Sequence, residues 1–176
     1  MFEFTELDYQ ETPLGAISLR RRSEPRLGGK VLYEVKLGDE FLMSSLFVEA
    51  EEELAALALR SLDATELDVV VGGLGLGYTA AKALENEAVR SLLVIETMAP
   101  VISWHRLGLV PLGDKLALDS RCSLVNGDFL TMAASSSDFE PAQQSRLFHP
   151  LLPEFSHSPT HRPHKRQCPH LAQRRL

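Results

Sequence analysis

The sequence predicts an α/β fold: a parallel sheet preceded by a small N-terminal β unit. Three observations carry that expectation. Residues 67–77 (LDVVVGGLGLG) form a short β-branched run closing on Gly72, Gly73, Gly75 and Gly77. Residues 91–96 (SLLVIE) and 122–128 (CSLVNGD) are two further short apolar runs, each ending in an acid. Near-continuous apolar runs of this length suit strands buried on both faces, and the stretches between them suit helices.

The elements follow in order. Residues 12–22 (TPLGAISLRRR) and 30–37 (KVLYEVKL) alternate like strands, and Gly38-Asp39 is a turn signal before residues 40–46. Arg20, Arg21 and Arg22 read as a solvated strand edge that discourages strand addition. Residues 49–62 read as a helix with Leu54, Leu57 and Leu62 on or near one face. After the strand at 67–72 come the glycine loop and a helix at 78–87. A second strand at 91–96, a helix over 98–109 and a third strand at 122–126 complete the readable core. The resulting division is an N-terminal β-hairpin unit at 1–48, an incomplete core at 49–130, and a linker with a disordered tail at 131–176.

The glycine spacing narrows the ligand. A dinucleotide fingerprint, G-x-G-x-x-G, fails in both registers, because Tyr78 or Leu74 falls where a glycine is required. No Gly-Lys-Ser/Thr follows, so a P-loop is excluded. The observed pattern is G-x-G-x-G at Gly73, Gly75 and Gly77. It reads either as a tight strand-helix turn or as a loop that lets backbone approach a ligand closely. Glu96 lies 23 residues beyond Gly73, near the place where open α/β folds put an acid on ribose hydroxyls; the alternative is a solvated acid at a strand end. Asp128 follows the Asn126-Gly127 turn, and reads as a ligand-facing acid or as a cap on the next helix.

With these residues in order, the chain resembles spermidine synthase-like proteins of the Rossmann-like class I S-adenosylmethionine-dependent methyltransferase fold, over roughly residues 7 to 130. The resemblance implies S-adenosylmethionine or decarboxylated S-adenosylmethionine as co-substrate. It implies Gly73, Gly75 and Gly77 at the amino-acid or aminopropyl portion, Glu96 at the ribose and Asp128 at the adenine. It also implies alkyl transfer, aminopropyl or methyl, to a small-molecule acceptor such as a polyamine, and a homodimer. The chain departs from the family pattern in three places. The loop GGLGLG lacks the family's Asp. Ser44, Ser45 and Phe47 stand where a Tyr-His-Glu segment is usual. The acid that closes the family's fourth strand has no counterpart, so no catalytic residue is assigned. The second reading is a non-catalytic remnant of this fold that serves as a binding or interaction protein.

Composition divides the chain. Residues 1–145 hold 12 basic and 23 acidic residues, a net charge of −11; residues 146–176 hold 6 basic residues and Glu154, a net charge of +5. All 11 glycines lie at or before Gly127, and five of six histidines at or after His149. Pro150 and Pro153 oppose a central fourth strand, which leaves the 67–72 strand with an unpaired edge and predicts a marginally stable chain. The abrupt change reads as translation in a wrong frame or as a genuine extension. His157, His161, His164, Cys168 and His170 have metal-ligating chemistry, but Pro159 and Pro163 oppose a helix between them, so no metal site is expected. The acidic body argues against a specific nucleic-acid role.

The two cysteines, Cys122 and Cys168, form no disulfide framework, and a reducing, cytoplasmic setting is expected. No signal peptide and no membrane span are expected, since no apolar run approaches the required length. Two further residues stay open in the sequence. Tyr78 packs either beside the ligand or on the core. His105 reads as a helix-surface residue, with a general base as the alternative.

Overall fold

The computed structural model describes residues 3–134 and 146–148. An antiparallel sheet comes first: β1 (Phe4–Thr12), β2 (Gly15–Glu24), β3 (Lys30–Leu37) and β4 (Glu40–Ser44), in spatial order β1-β2-β3-β4. The hairpin expectation is thus enlarged to four strands. β1 escapes a period-2 reading because its register to β2 shifts between Glu6 and Asp8, which breaks the alternation. β2 is an interior strand, so its arginines are not a solvated edge. Arg22 is held by Glu24 and Glu34, each at 2.6 Å, and Arg20 lies over the Phe4 ring at 5.6 Å.

The helix α1 (Glu49–Arg60) leads to β5 (Leu67–Gly72), then α2 (Tyr78–Leu84), β6 (Val89–Glu96), α3 (Ala99–Arg106), α4 (Gly113–Ala117), β7 (Cys122–Asn126) and α5 (Phe129–Ala134). β6 lies parallel between β5 and β7, with Val69 opposite Leu92 and Val94 opposite Leu124. Val69, Val70 and Val71 are all buried, as are Leu92, Val94 and Ile95. This is the two-sided burial that continuous apolar strands require. Helix α5 begins at Phe129 inside the expected core and runs on to Ala134, into the stretch expected to be a linker.

The far edge of β5 corrects the unpaired-edge expectation. A three-residue strand, β8 (Arg146–Phe148), runs parallel to it, with Asp68 opposite Arg146 and Val70 opposite Phe148. The sheet order is β7-β6-β5-β8. Pro150 restricts a strand only where it sits, and β8 ends two residues before it. Among the described residues this ladder stops at Val70, short of Val71 and Gly72. The expectations for the histidines, proline and cysteine of the tail lie outside the described residues. Among the described residues no helix is long and apolar enough to cross a membrane.

One buried cluster joins the two sheets, from Ile17, Leu19 and Val35 through Ala55 and Leu59 to Val69, Val94 and Trp104. A polar tie reinforces it: the Trp104 indole N–H donates to the Asp8 carboxylate at 2.5 Å. Burial raises the Asp8 pKa, but hydrogen bonds from Trp104 and Gln10 outweigh that and leave it below the ordinary value.

Candidate functional site

The C-terminal ends of β5, β6 and β7 open on one cavity of about 350 Å³, within the range of small-molecule sites. In an open α/β sheet this is where ligands bind. Gly73, Gly75, Gly77, Glu96 and Asp128 all line it. The opposite wall comes from the N-terminal unit and α1, through Leu14, Leu42, Met43, Ser44, Glu51 and Leu54.

The loop between β5 and α2 is shaped by its glycines at two positions in particular. Gly73 has φ +94° and no atom within 4 Å of where a Cβ would stand, so it presents bare backbone to open space. Gly77 has φ +91°, and a Cβ there would lie 2.7 Å from Leu116 Cδ1 and 2.8 Å from His105 Cε1. Several loop N–H groups are used internally. Gly73 N–H donates to the Ile95 carbonyl at 2.8 Å, and Gly77 N–H to the Leu74 carbonyl at 2.8 Å.

Glu96 closes β6 and is only 6% exposed, which rules out the solvated-acid reading. Its Oε2 accepts from Leu74 N–H at 2.8 Å and its Oε1 from Met98 N–H at 2.7 Å. The carboxylate therefore pins the glycine loop to the end of the neighbouring strand. Each oxygen keeps a second lone pair for a ligand donor. Asn126 braces the same corner by donating its side-chain amide to the Glu96 carbonyl at 2.8 Å and to that of Thr97 at 2.9 Å.

Asp128 behaves differently. Its Oδ1 accepts from Leu130 N–H at 2.9 Å and Thr131 N–H at 3.3 Å, and its Oδ2 from the Thr131 hydroxyl at 2.9 Å. These bonds hold its pKa below the ordinary carboxylate value, the Thr131 hydroxyl contributing most. It caps α5 while standing exposed on the cavity rim.

Some residues were missed or misjudged in the sequence. His105 is fully buried rather than on a helix surface. Its Nε2 lies 3.0 Å from the Gly75 carbonyl oxygen. Phe129 lines the cavity and packs on β5, so close that a Cβ on Gly72 would meet its ring at 2.6 Å. An aromatic directly after the Gly-Asp pair was the available signal. Tyr78 lines the cavity, and burial, followed by the charge of Glu52, raises its pKa against a hydrogen bond with Ser45. Of the three residues in the divergent N-terminal segment, Ser44 reaches the cavity, Ser45 is buried beside Tyr33, and Phe47 is exposed.

The cavity's charge is one-sided. Its described lining carries three carboxylates, Glu51, Glu96 and Asp128, and no Lys, Arg or His. Such a site opposes a phosphate-bearing ligand and favours a cation. Among the described residues no cluster of ligating side chains could hold a metal ion.

No family model matches the chain. Among solved structures, it is similar to spermidine synthase from Thermotoga maritima, at 18% identity and a TM-score of 0.56, over 70% of this chain and 41% of that one. It is similar also to spermidine synthase in complex with the transition state analogue AdoDATO, at 19% identity and a TM-score of 0.56, over 69% of this chain and 39% of that one. The chain thus spans about two fifths of the length of the structures it matches. An antiparallel N-terminal sheet followed by a parallel sheet with its site at the strand ends is, with these neighbours, the spermidine synthase fold of the class I methyltransferase type.

Proposed function

We propose that the cavity binds an S-adenosyl sulfonium compound, S-adenosylmethionine or its decarboxylated form, and that the chain is a transferase by lineage. The observation that carries this reading is the cavity lining: a glycine loop, a buried Glu96 and no positive side chain. A sulfonium is cationic, and dinucleotides or nucleoside phosphates are anionic, so the lining separates the two classes. In this reading Gly73, Gly75 and Gly77 receive the amino-acid or aminopropyl portion, Glu96 accepts from the ribose hydroxyls, and Asp128 accepts from the adenine amine at the rim. The AdoDATO complex of a fold neighbour agrees with the ligand class.

The bound co-substrate supplies an activated carbon beside its sulfonium, so the protein's task is positioning, with a base where the acceptor needs one. Glu96 and the loop fix the adenosyl half. The acceptor half falls to the wall of Leu14, Leu42, Met43 and Leu54, with Glu51 as its carboxylate. That wall suits a small amine whose body is apolar and whose nitrogen approaches Glu51. Aminopropyl or methyl transfer to such an acceptor is the enzymatic reading, with a homodimer as its assembly. The second reading, a binding protein without catalysis, draws on the missing acid after the fourth strand, a position outside the described residues.

Isothermal titration with S-adenosylmethionine, decarboxylated S-adenosylmethionine and NAD tests the ligand class. One of the first two binds and NAD does not, if the reading holds. Preferential binding of NAD would overturn it.

A further inference from the structure

Beneath the glycine loop lies a histidine that the adenosyl reading leaves without a task. His105 is 0% exposed, and its Nε2 stands 3.0 Å from the Gly75 carbonyl oxygen. A carbonyl oxygen only accepts, so Nε2 carries the proton and donates. In the neutral ring Nδ1 is then a bare acceptor, and it is buried with no hydrogen-bond partner among the described residues. A proton added at Nδ1 would place a charge there with nothing to receive it. The surroundings thus select one tautomer of a neutral imidazole.

The ring also packs closely against Gly77. Leu116 of α4 packs against the Gly77 side of the same space, where a Cβ would lie 2.7 Å from Leu116 and 2.8 Å from the His105 ring. The His105 backbone is equally confined, since a Cβ on Gly113 would stand 2.6 Å from its carbonyl oxygen. The ring, Leu116 and the backbone of Gly77 thus share one tightly packed space.

Two side chains consequently grip adjacent residues of the loop. Glu96, at the end of β6, accepts from the Leu74 N–H. His105, on α3, donates to the Gly75 carbonyl. The gripped residues lie within a turn that the chain closes itself, from Gly77 N–H to the Leu74 carbonyl. Glu96 also lines the cavity, whereas His105 is not among its described lining residues.

We propose that His105 is the positioning residue of the glycine loop: its Nε2–H bond to the Gly75 carbonyl sets the loop's arc and thereby the affinity for the adenosyl ligand. The consequence for affinity rests on the adenosyl reading of the cavity; the setting of the arc does not. The test uses the full chain with His105→Gln, His105→Asn and His105→Phe. A glutamine amide nitrogen stands near the place of Nε2, and an asparagine nitrogen near that of Nδ1. Native-state hydrogen exchange reads the amides of Gly75, Leu76 and Gly77, and isothermal titration reads S-adenosylmethionine binding.

The expected result is that Gln keeps affinity within about threefold, while Asn and Phe weaken it by about tenfold or more and speed exchange at the loop but not in β6. Equal behaviour of all three variants overturns the proposal. If Asn and Phe fail to fold, long-range ¹H–¹⁵N spectra of the wild-type histidine decide: a proton on Nε2 supports the bond, and a proton on Nδ1 refutes it. Loop exchange that follows the expected order without any ligand binding to the wild type keeps the positioning role and refutes the adenosyl reading.

Discussion

The ends of β6 and β7 look alike in the sequence, each a short apolar run closing on an acid, yet they do different physical work. At the β6 end Glu96 is buried and reaches across to the loop of the neighbouring strand, to Leu74, as well as to Met98. At the β7 end Asp128 is exposed and turns back on its own helix, to Leu130 and Thr131. The first acid joins separate elements and shapes the cavity. The second finishes one helix and touches the cavity only at its rim. A strand-end acid is therefore a scaffold of the site where it bridges elements, and a replaceable contact where it serves its own element.

The sharpest way to break this comparison is to remove the bridging acid. Glu96→Ala leaves the buried N–H of Leu74 without its acceptor, at about 1–3 kcal/mol, and the half-buried N–H of Met98 at somewhat less. Urea denaturation is expected to show a loss of about 2–5 kcal/mol, and titration a loss of at least about tenfold in adenosyl affinity. Stability and affinity equal to wild type would remove Glu96 from both roles. Next in size is Gly77→Ala, which combines a strained φ with contact against Leu116 and His105. The expected loss is about 2–4 kcal/mol, read from the same denaturation curves, and no loss would mean the loop adopts another path.

A third prediction concerns pH. Burial holds the His105 pKa below its ordinary value, the Gly75 carbonyl opposing in part. The unfolded chain therefore binds a proton at this site more readily than the folded one. The stabilisation is complete above the unfolded imidazole value of about 6.5 and is lost as pH falls through the lower folded value. The ring contacts named above, Gly75, Gly77 and Leu116, carry no ionisable side chain. Melting temperature should drop between neutral and mildly acidic pH, and the drop should shrink in His105→Gln. An identical pH profile in that variant would assign the effect elsewhere.

The smaller effects fall at the other end of the comparison. Asp128→Ala removes the α5 cap, so exchange should quicken at Leu130 and Thr131 while Leu74 and Gly77 stay protected. A loop that loosens as much as in Glu96→Ala would abolish the distinction between the two acids. Smallest is the thiol of Cys122, pushed up to about 11, chiefly by burial. Iodoacetamide should modify it at mildly alkaline pH far more slowly in the folded protein than in urea, and equal rates would contradict the shielding of this half-buried thiol.

What could be read in the sequence follows from the range of the forces involved. The three core strands and the glycine loop were legible because local chemistry fixes them: β-branched runs favour buried strands and glycines accept positive φ. The order of the site, from Gly73 to Glu96 to Asp128, followed the strand ends. His105 was not legible, since its burial depends on α4 folding back over α3, a contact that no periodicity within eight residues of α3 records. β1 was hidden by its register shift. β8 was hidden because pairing with Asp68, Val69 and Val70 comes from a distant partner rather than from its own three residues. The apolar wall of Leu14, Leu42 and Met43 likewise exists only once the N-terminal sheet docks on the core.

The central claim is that a cavity lined by Glu51, Glu96 and Asp128, with no positive side chain among its described residues, selects a cationic adenosyl ligand. The most direct measurement is calorimetric titration of the purified chain with decarboxylated S-adenosylmethionine, with S-adenosylmethionine and 5′-AMP as comparators. The account predicts one-to-one binding of a sulfonium compound, weakened by Glu96→Ala, and no binding of 5′-AMP. Binding of 5′-AMP as tight as that of either sulfonium compound, or no sulfonium binding at millimolar concentration, would contradict it.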